Sequence, residues 1–166
     1  KIIIYNNYII FKKMKLDKDQ ILQYQKNRDE FLMFDAVKEV VPGKSAKGYK
    51  ELNKDLWFFK LHWPGDPNMP GMLQVEALIQ LCAMAIFTLP GNKAKTMYLL
   101  NVNSAKFYNK VVPGDNFEIV TEVKSYKRGI AICKGEGYQS NVKSCSAEFS
   151  MILKDFTLNM LNPKNK

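Results

Sequence analysis

Histidine occurs once in this sequence, at position 62, and the three cysteines, Cys82, Cys133 and Cys145, form no CxxC pair and no even set. A zinc site would be short of ligands and a disulfide framework short of partners, so no metal, cofactor or disulfide is expected. The cysteines read as reduced, buried or half-buried residues, with Cys82 a small hydrophobe in an apolar run, and the compartment reads as cytoplasmic. Acidic residues are also scarce, 16 against 25 basic ones, for a net charge of +9 carried by lysines spread from Lys1 to Lys166. That excess favours an acidic partner, although lysine used as the default surface charge gives the same count. With no basic helix or aromatic-basic sheet motif beside it, nucleic-acid binding is argued against.

No apolar stretch is clean enough for a membrane span. The longest, Met72 to Leu89, contains Gln74, Glu76 and Gln80, so a core helix is the better use of it. Lys1 to Met14 is apolar and begins with a cation, but Asn6 and Asn7 break it and no small-residue cleavage site precedes Lys12-Lys13. A signal peptide is therefore rejected; the segment is compatible with a strand or an anchor, and Met14 would also begin a sensible protein. Nine glycines and seven prolines are too few for a collagen-like or linker chain. What is present is core material: 46% hydrophobic residues, with ten Phe, eight Tyr and two Trp, in 166 residues. That suffices for one domain and not for two.

Along the chain, Lys18 to Lys26 reads as a short amphipathic helix capped by Asp17, and Phe31 to Val41 as a strand stopped by Pro42-Gly43. Ser45 to Leu52 is a weak strand, and Leu56 to Leu61 is a short apolar piece leading to His62. From His62 to Gly71 three prolines and two glycines exclude regular structure, which makes a stiff loop. A long helix follows Pro70 and ends at Pro90-Gly91; on it Met72, Glu76, Gln80, Ala83 and Phe87 recur every three or four residues and share a face. Thr96 to Phe107, Asn116 to Tyr126, Ile130 to Gln139 and Val142 to Leu153 read as strands, the last three joined by short turns in an antiparallel meander. One apolar helix among about six strands predicts an α+β fold, a curved antiparallel sheet wrapped around one long central helix. Such a sheet leaves an edge strand and part of the helix uncovered, so a dimer is expected.

The informative constellation is the single His62 in the loop and Glu76, the one acid inside the apolar helix. Burial would raise the pKa of that acid and suit it to donate a proton, while an imidazole can accept one at neutral pH. The helix start offers the backbone amides of Gly71 and Met72 to a developing oxyanion, and Gln80, one turn beyond Glu76, can orient the carboxyl group or a water. Base, acid and carbonyl-polarising amides together suit proton abstraction beside a carbonyl with loss of a neighbouring hydroxyl. Ala83 and Phe87, with Met72 on the same face, would line a path for the substrate's chain.

The run His62-Trp63-Pro64-Gly65, then Met69-Pro70-Gly71, then Glu76-Ala77 and Gln80 resembles the signature of the (3R)-hydroxyacyl-acyl-carrier-protein dehydratases, a family with the hot-dog fold. The likeness extends to Phe31-Leu32-Met33-Phe34-Asp35 and Pro42-Gly43-Lys44 upstream, and to Ala105-Lys106-Phe107, Val112-Pro113-Gly114-Asp115, Arg128-Gly129 and Lys134-Gly135-Glu136-Gly137 downstream. It implies that His62 removes the C2 proton of an acyl thioester, that Glu76 protonates the departing 3-hydroxyl and that the Gly71 amide polarises the carbonyl. It further implies a homodimer whose two catalytic side chains meet across the interface, possible assembly as a trimer of dimers, and acyl carrier protein as the substrate-bearing partner. Glu at position 76 resembles the branch that dehydrates without isomerising.

The resemblance covers about Arg28 to Leu153, giving an extension with a short helix over 1–27, a hot-dog domain over 28–153 and a tail over 154–166. Three features depart from the pattern: Leu61 stands before the histidine in place of Gly, Trp63 replaces Phe, and Lys26-Asn27-Arg28-Asp29 lacks the usual His and Pro. An acyl thioesterase of the same fold and a non-catalytic acyl-binding subunit are the alternatives. The first lacks the His-aromatic-Pro-Gly box, and the second predicts loss of His62 or Glu76.

Overall fold

The computed structural model describes residues 2–5 and 8–155. β1 (Ile2–Tyr5) and β2 (Tyr8–Phe11) pair antiparallel in a sheet of their own, and β3 (Met14–Leu16) opens the main sheet. Asp17 then caps α1 (Lys18–Ile21) reciprocally: its carboxylate accepts from the Gln20 amide at 2.9 Å, and the Gln20 side chain accepts from the Asp17 amide at 3.0 Å. The helix is one turn long and does not reach Lys26. The Arg28 guanidinium takes the carbonyls of Leu22, Gln25 and Asn27, and the Lys26 amide turns to the Gln25 side chain, so the hydrogen bonds that would continue the helix are spent elsewhere.

The strand expected from Phe31 starts only at Ala36. A 3-10 turn fills Asp29–Phe31, the Met33 amide donates to Gln80 Oε1 at 3.0 Å, and the Asp35 carboxylate takes the Glu51 amide and the Lys50 ammonium. β4 (Ala36–Val41) and β5 (Ser45–Leu52) follow as a hairpin, and the apolar piece before His62 is a helix, α2 (Trp57–Leu61). The long helix α3 (Gly71–Phe87) begins after Pro70, and its C-terminal carbonyls at Met84 and Ile86 are taken by Thr88 Oγ1 and Asn92 Nδ2. β6 (Met97–Phe107), β7 (Gly114–Lys127), β8 (Ile130–Gln139) and β9 (Val142–Leu153) complete a seven-stranded antiparallel sheet in the order β3-β4-β5-β7-β8-β9-β6. The meander β7-β8-β9 is closed by two-residue turns, Arg128-Gly129 and Ser140-Asn141, with φ of 49°, 77°, 50° and 63°. Such left-handed pairs match the twist of the flanking strands.

The sheet wraps α3, and this is the hot-dog arrangement. Ile119, Cys133, Ala147 and Phe149 face the helix core of Leu78, Leu81, Cys82 and Ile86, all buried. Gly135 permits the approach, since a Cβ there would lie 3.0 Å from the Leu78 Cβ. A helix apolar on nearly every side is stable only in such an enclosure. Among the described residues β6 ends the sheet with one side unpaired, and its Tyr98, Leu99, Leu100 and Phe107 are exposed. The cysteines are free and buried. Hydrogen bonding to Cys133 and burial push the Cys82 thiol well up, and burial pushes that of Cys145 up to about 12, which leaves neither as a nucleophile at neutral pH. Phe156, Leu158, Met160, Leu161 and the polar tail at 162–166 lie outside the described residues.

Candidate active site

α2 delivers His62. Phe58 and Phe59, buried and edge-on to each other at 4.6 Å, anchor this short helix, and the His62 amide closes it by donating to the Phe58 carbonyl at 2.8 Å. Leu61 and Trp63 both face solvent, Trp63 with 56% of its surface exposed and stacked on the imidazole at 4.2 Å between ring centroids. The loop folds back so that the Asn68 amide donates to the His62 carbonyl at 3.0 Å, while His62 Nδ1 lies 3.1 Å from the Asn68 carbonyl oxygen. A carbonyl can only accept. Neutral His62 therefore carries its proton on Nδ1 and presents an unprotonated Nε2.

The same loop runs into the start of α3. The Met69 amide donates to the Val111 carbonyl at 2.7 Å, and the amides of Leu73 and Gln74 both turn to the Pro70 carbonyl, at 3.0 and 3.1 Å. The Gly71 and Met72 amides have no hydrogen-bond partner among the described residues, so the two donors at the positive end of the helix stay available. The Phe107 ring lies directly on Gly71: a Cβ at this position would fall 2.7 Å from the ring edge, so a larger residue would have to push the ring aside. Gly71, Met72, Gln74, Phe107 and Lys110 bound an open cleft of about 460 Å³.

One turn further along α3, Glu76 is half-buried, not buried as its apolar surroundings in the sequence suggested. Gln80 Nε2 donates to its Oε1 at 2.7 Å. Glu76, Gln80, Ala83 and Phe87 line a second cavity of about 200 Å³ whose opposite wall is Met97 and Leu99 from β6 and Met151 from β9. At its rim the Lys26 ammonium reaches Thr96 Oγ1 at 2.7 Å. Met72 is not brought to this cavity; in the first turn of α3 it lies 64% exposed at the other cleft. Neither cavity is lined by both His62 and Glu76.

Sequence reasoning missed Asn68, which acts through its backbone carbonyl and so leaves no side-chain signal. It also passed over Phe107, whose place above Gly71 depends on the register of β6 against β9, Phe107 opposite Cys145. Among the described residues no three His, Cys, Asp or Glu side chains are grouped to hold a metal ion, and no helix is long and apolar enough to cross a membrane.

A FabA-like domain matches residues 26–148. The chain is 38% identical over 135 residues to the 3-hydroxyacyl-acyl-carrier-protein dehydratase FabZ of Clostridium novyi, covering 81% of this chain and 95% of that one. It is 38% identical over 140 residues to FabZ of Clostridium acetobutylicum, covering 84% and 99%. Among solved structures, the dehydratase heterocomplex ApeI:P from Xenorhabdus doucetiae matches with a TM-score of 0.68 at 12% identity, over 86% of this chain and 97% of that one. A hypothetical thioesterase with coenzyme A from Streptococcus pneumoniae matches with a TM-score of 0.57 at 12% identity, over 71% and 84%. At such identities these two structures speak for the fold alone. The extent and identity of the FabZ alignments carry the assignment further: this chain belongs to the FabA-like family of hot-dog dehydratases, as a member of the FabZ type.

Proposed function

We propose that this hydro-lyase removes water from (3R)-3-hydroxyacyl thioesters held on acyl carrier protein, giving trans-2-enoyl thioesters in fatty acid synthesis, with His62 as base and Glu76 as acid. The observation that carries the assignment of roles is the bond from His62 Nδ1 to the Asn68 carbonyl, which leaves Nε2 with a free lone pair on the loop that leads to the unpaired Gly71 amide. With the thioester oxygen on the Gly71 amide, seconded by that of Met72, charge developing on the carbonyl is stabilised as Nε2 takes the C2 proton. The C3–O bond then breaks, the C2–C3 double bond forms, and Glu76 gives its proton to the departing hydroxyl, which leaves as water. Gln80 occupies Glu76 Oε1 as a donor, so the transferable proton sits on Oε2. Return of the proton from His62 to Glu76 through solvent resets the site.

A homodimer is supported by the exposed apolar edge of β6, against which a second copy can continue the sheet and bring His62 to Glu76 of the partner subunit. The acyl chain then runs past Ala83 toward Phe87. Glu rather than Asp at position 76 supports dehydration without isomerisation, and the three free cysteines support a cytoplasmic setting. The basic surface suits an acidic carrier protein. The test is incubation with 3-hydroxyacyl carrier-protein substrates of several lengths, following both the enoyl product and free thiol. Enoyl formation without thiol release is expected; release of thiol would replace the proposal with hydrolysis, and the absence of both products would overturn it.

A further inference from the structure

Gln74, in the first turn of α3 at the wall of the cleft beside Met69 and Phe107, is only 4% exposed, and its Oε1 is buried without a partner among the described residues. On packing alone an aliphatic side chain would serve better there, because a buried amide oxygen left unpaired is destabilising. What the amide does is donate from Nε2 to the Met69 carbonyl at 3.0 Å. Pro70 creates the need for that donor. The helix starts one residue after it, and the Leu73 and Gln74 amides both close on the Pro70 carbonyl, so no backbone donor among the described residues reaches the carbonyl of Met69. Residue 69 is thus held from two sides, by Gln74 at its carbonyl and by the Val111 carbonyl at its amide.

We infer that Gln74 is a positioning residue for the dehydration, acting through the Met69 peptide on both halves of the site; the inference rests on the reading of His62 and Gly71 given above. The residue before Met69 is Asn68, whose carbonyl sets the His62 tautomer, and two residues after it comes the Gly71 amide. If the Met69 carbonyl loses its donor, the peptide between Met69 and Pro70 is free to turn toward solvent, and the displacement passes to the Asn68 carbonyl on one side and the Gly71 amide on the other. A misplacement on the order of 1 Å at reacting groups is enough to lower turnover about a hundredfold.

The test is Gln74→Met, which keeps the length and approximate volume of the side chain and removes the donor. The expected result is a fall in kcat of about tenfold to a hundredfold, with KM for the carrier-linked substrate and the melting temperature at or near wild-type values. A purely structural role would lower stability instead. Because His62 is the one histidine in the sequence, its ring nitrogens give an unambiguous ¹⁵N spectrum: the Nδ1-protonated tautomer alone is expected in the wild type, and a mixture with the Nε2-protonated form in Gln74→Met. Wild-type kcat together with an unchanged tautomer would overturn the inference. Should Gln74→Met fail to fold, Gln74→Leu provides the same reading, since it too fills the site with an apolar side chain that has no donor. The tautomer readout needs no turnover, so it stands even if the wild type forms no enoyl product, an outcome that would strike the dehydratase reading and not the role of Gln74 at the loop.

Discussion

Gln80 reaches back one turn of α3 to Glu76, Nε2 to Oε1 at 2.7 Å, with the same nitrogen donating to the Phe31 carbonyl at 2.8 Å and Oε1 accepting the Met33 amide at 3.0 Å. The Met33 N–H can only donate, so the amide cannot flip, and its NH₂ group always faces the carboxylate. This arrangement ties the irregular segment before β4 to the acid.

Gln80→Leu therefore acts twice. It leaves the buried Met33 N–H without a partner and strips the Phe31 carbonyl of its donor, for a loss of about 1–3 kcal/mol in urea unfolding, and it releases Glu76, lowering kcat by more than about tenfold. Stability and turnover fall together, in contrast to Gln74→Met. A variant with full turnover would show that the carboxyl group needs no orientation.

His62→Ala and Glu76→Gln are each expected to lower turnover by about two orders of magnitude or more, the usual worth of a positioned base or acid, with the fold retained. If the site is shared between subunits, mixing the two inactive variants under conditions of subunit exchange restores part of the activity, because one site of the mixed dimer carries both intact residues. Lack of recovery in verified mixed dimers would mean that each chain works alone.

Much of this architecture was legible because its signals are local. The apolar run after Pro70 and the turn pairs Arg128-Gly129 and Ser140-Asn141 announce α3 and the meander without reference to the rest of the chain. The late start of β4 was not legible, since the group that draws Met33 out of strand pairing is Gln80, distant in sequence and brought close only by the fold. α2 was obscured because Trp57, Phe58 and Phe59 favour strands by themselves, and only burial of Phe58 and Phe59 selects the helix. At the site, His62 and Glu76 stand out as a lone imidazole and a lone acid, whereas the part played by Asn68 is made by a main-chain carbonyl and has no residue code.

On the outer face of the sheet Glu136 is held below the ordinary carboxylate value of 4.5, first by its bond with Lys143 and then by the Tyr138 hydroxyl, with burial opposing them. A carboxylate lowered in the folded state adds stability above its unfolded pKa and loses it as pH falls through the folded value. The melting-temperature gap between wild type and Lys143→Met should then be full near pH 7, narrow below 4.5 and close in stronger acid. A gap constant across that range would show that Lys143 acts through its aliphatic stem and not through charge.

The cavity beside Glu76 should set the length of acyl chain accepted. Ala83 is the small residue on its wall and Phe87, one turn on, stands at its far part, so chain length should respond to both. Ala83→Phe fills the space beyond the acid and should shorten the preferred acyl chain while leaving the shortest substrates little affected, because their reacting carbons lie nearer Glu76. Phe87→Ala should lengthen it. Each added methylene is worth about 0.8 kcal/mol of transfer free energy, so two carbons appear as roughly a tenfold change in relative kcat/KM. Phe87 is also buried core, and its truncation costs about 3–5 kcal/mol of stability, so the profile has to be measured at a temperature where unfolding curves show the variant native. Native variants with wild-type chain-length profiles would move the acyl path out of this cavity and into the cleft at the start of α3 lined by Met72, Phe107 and Lys110.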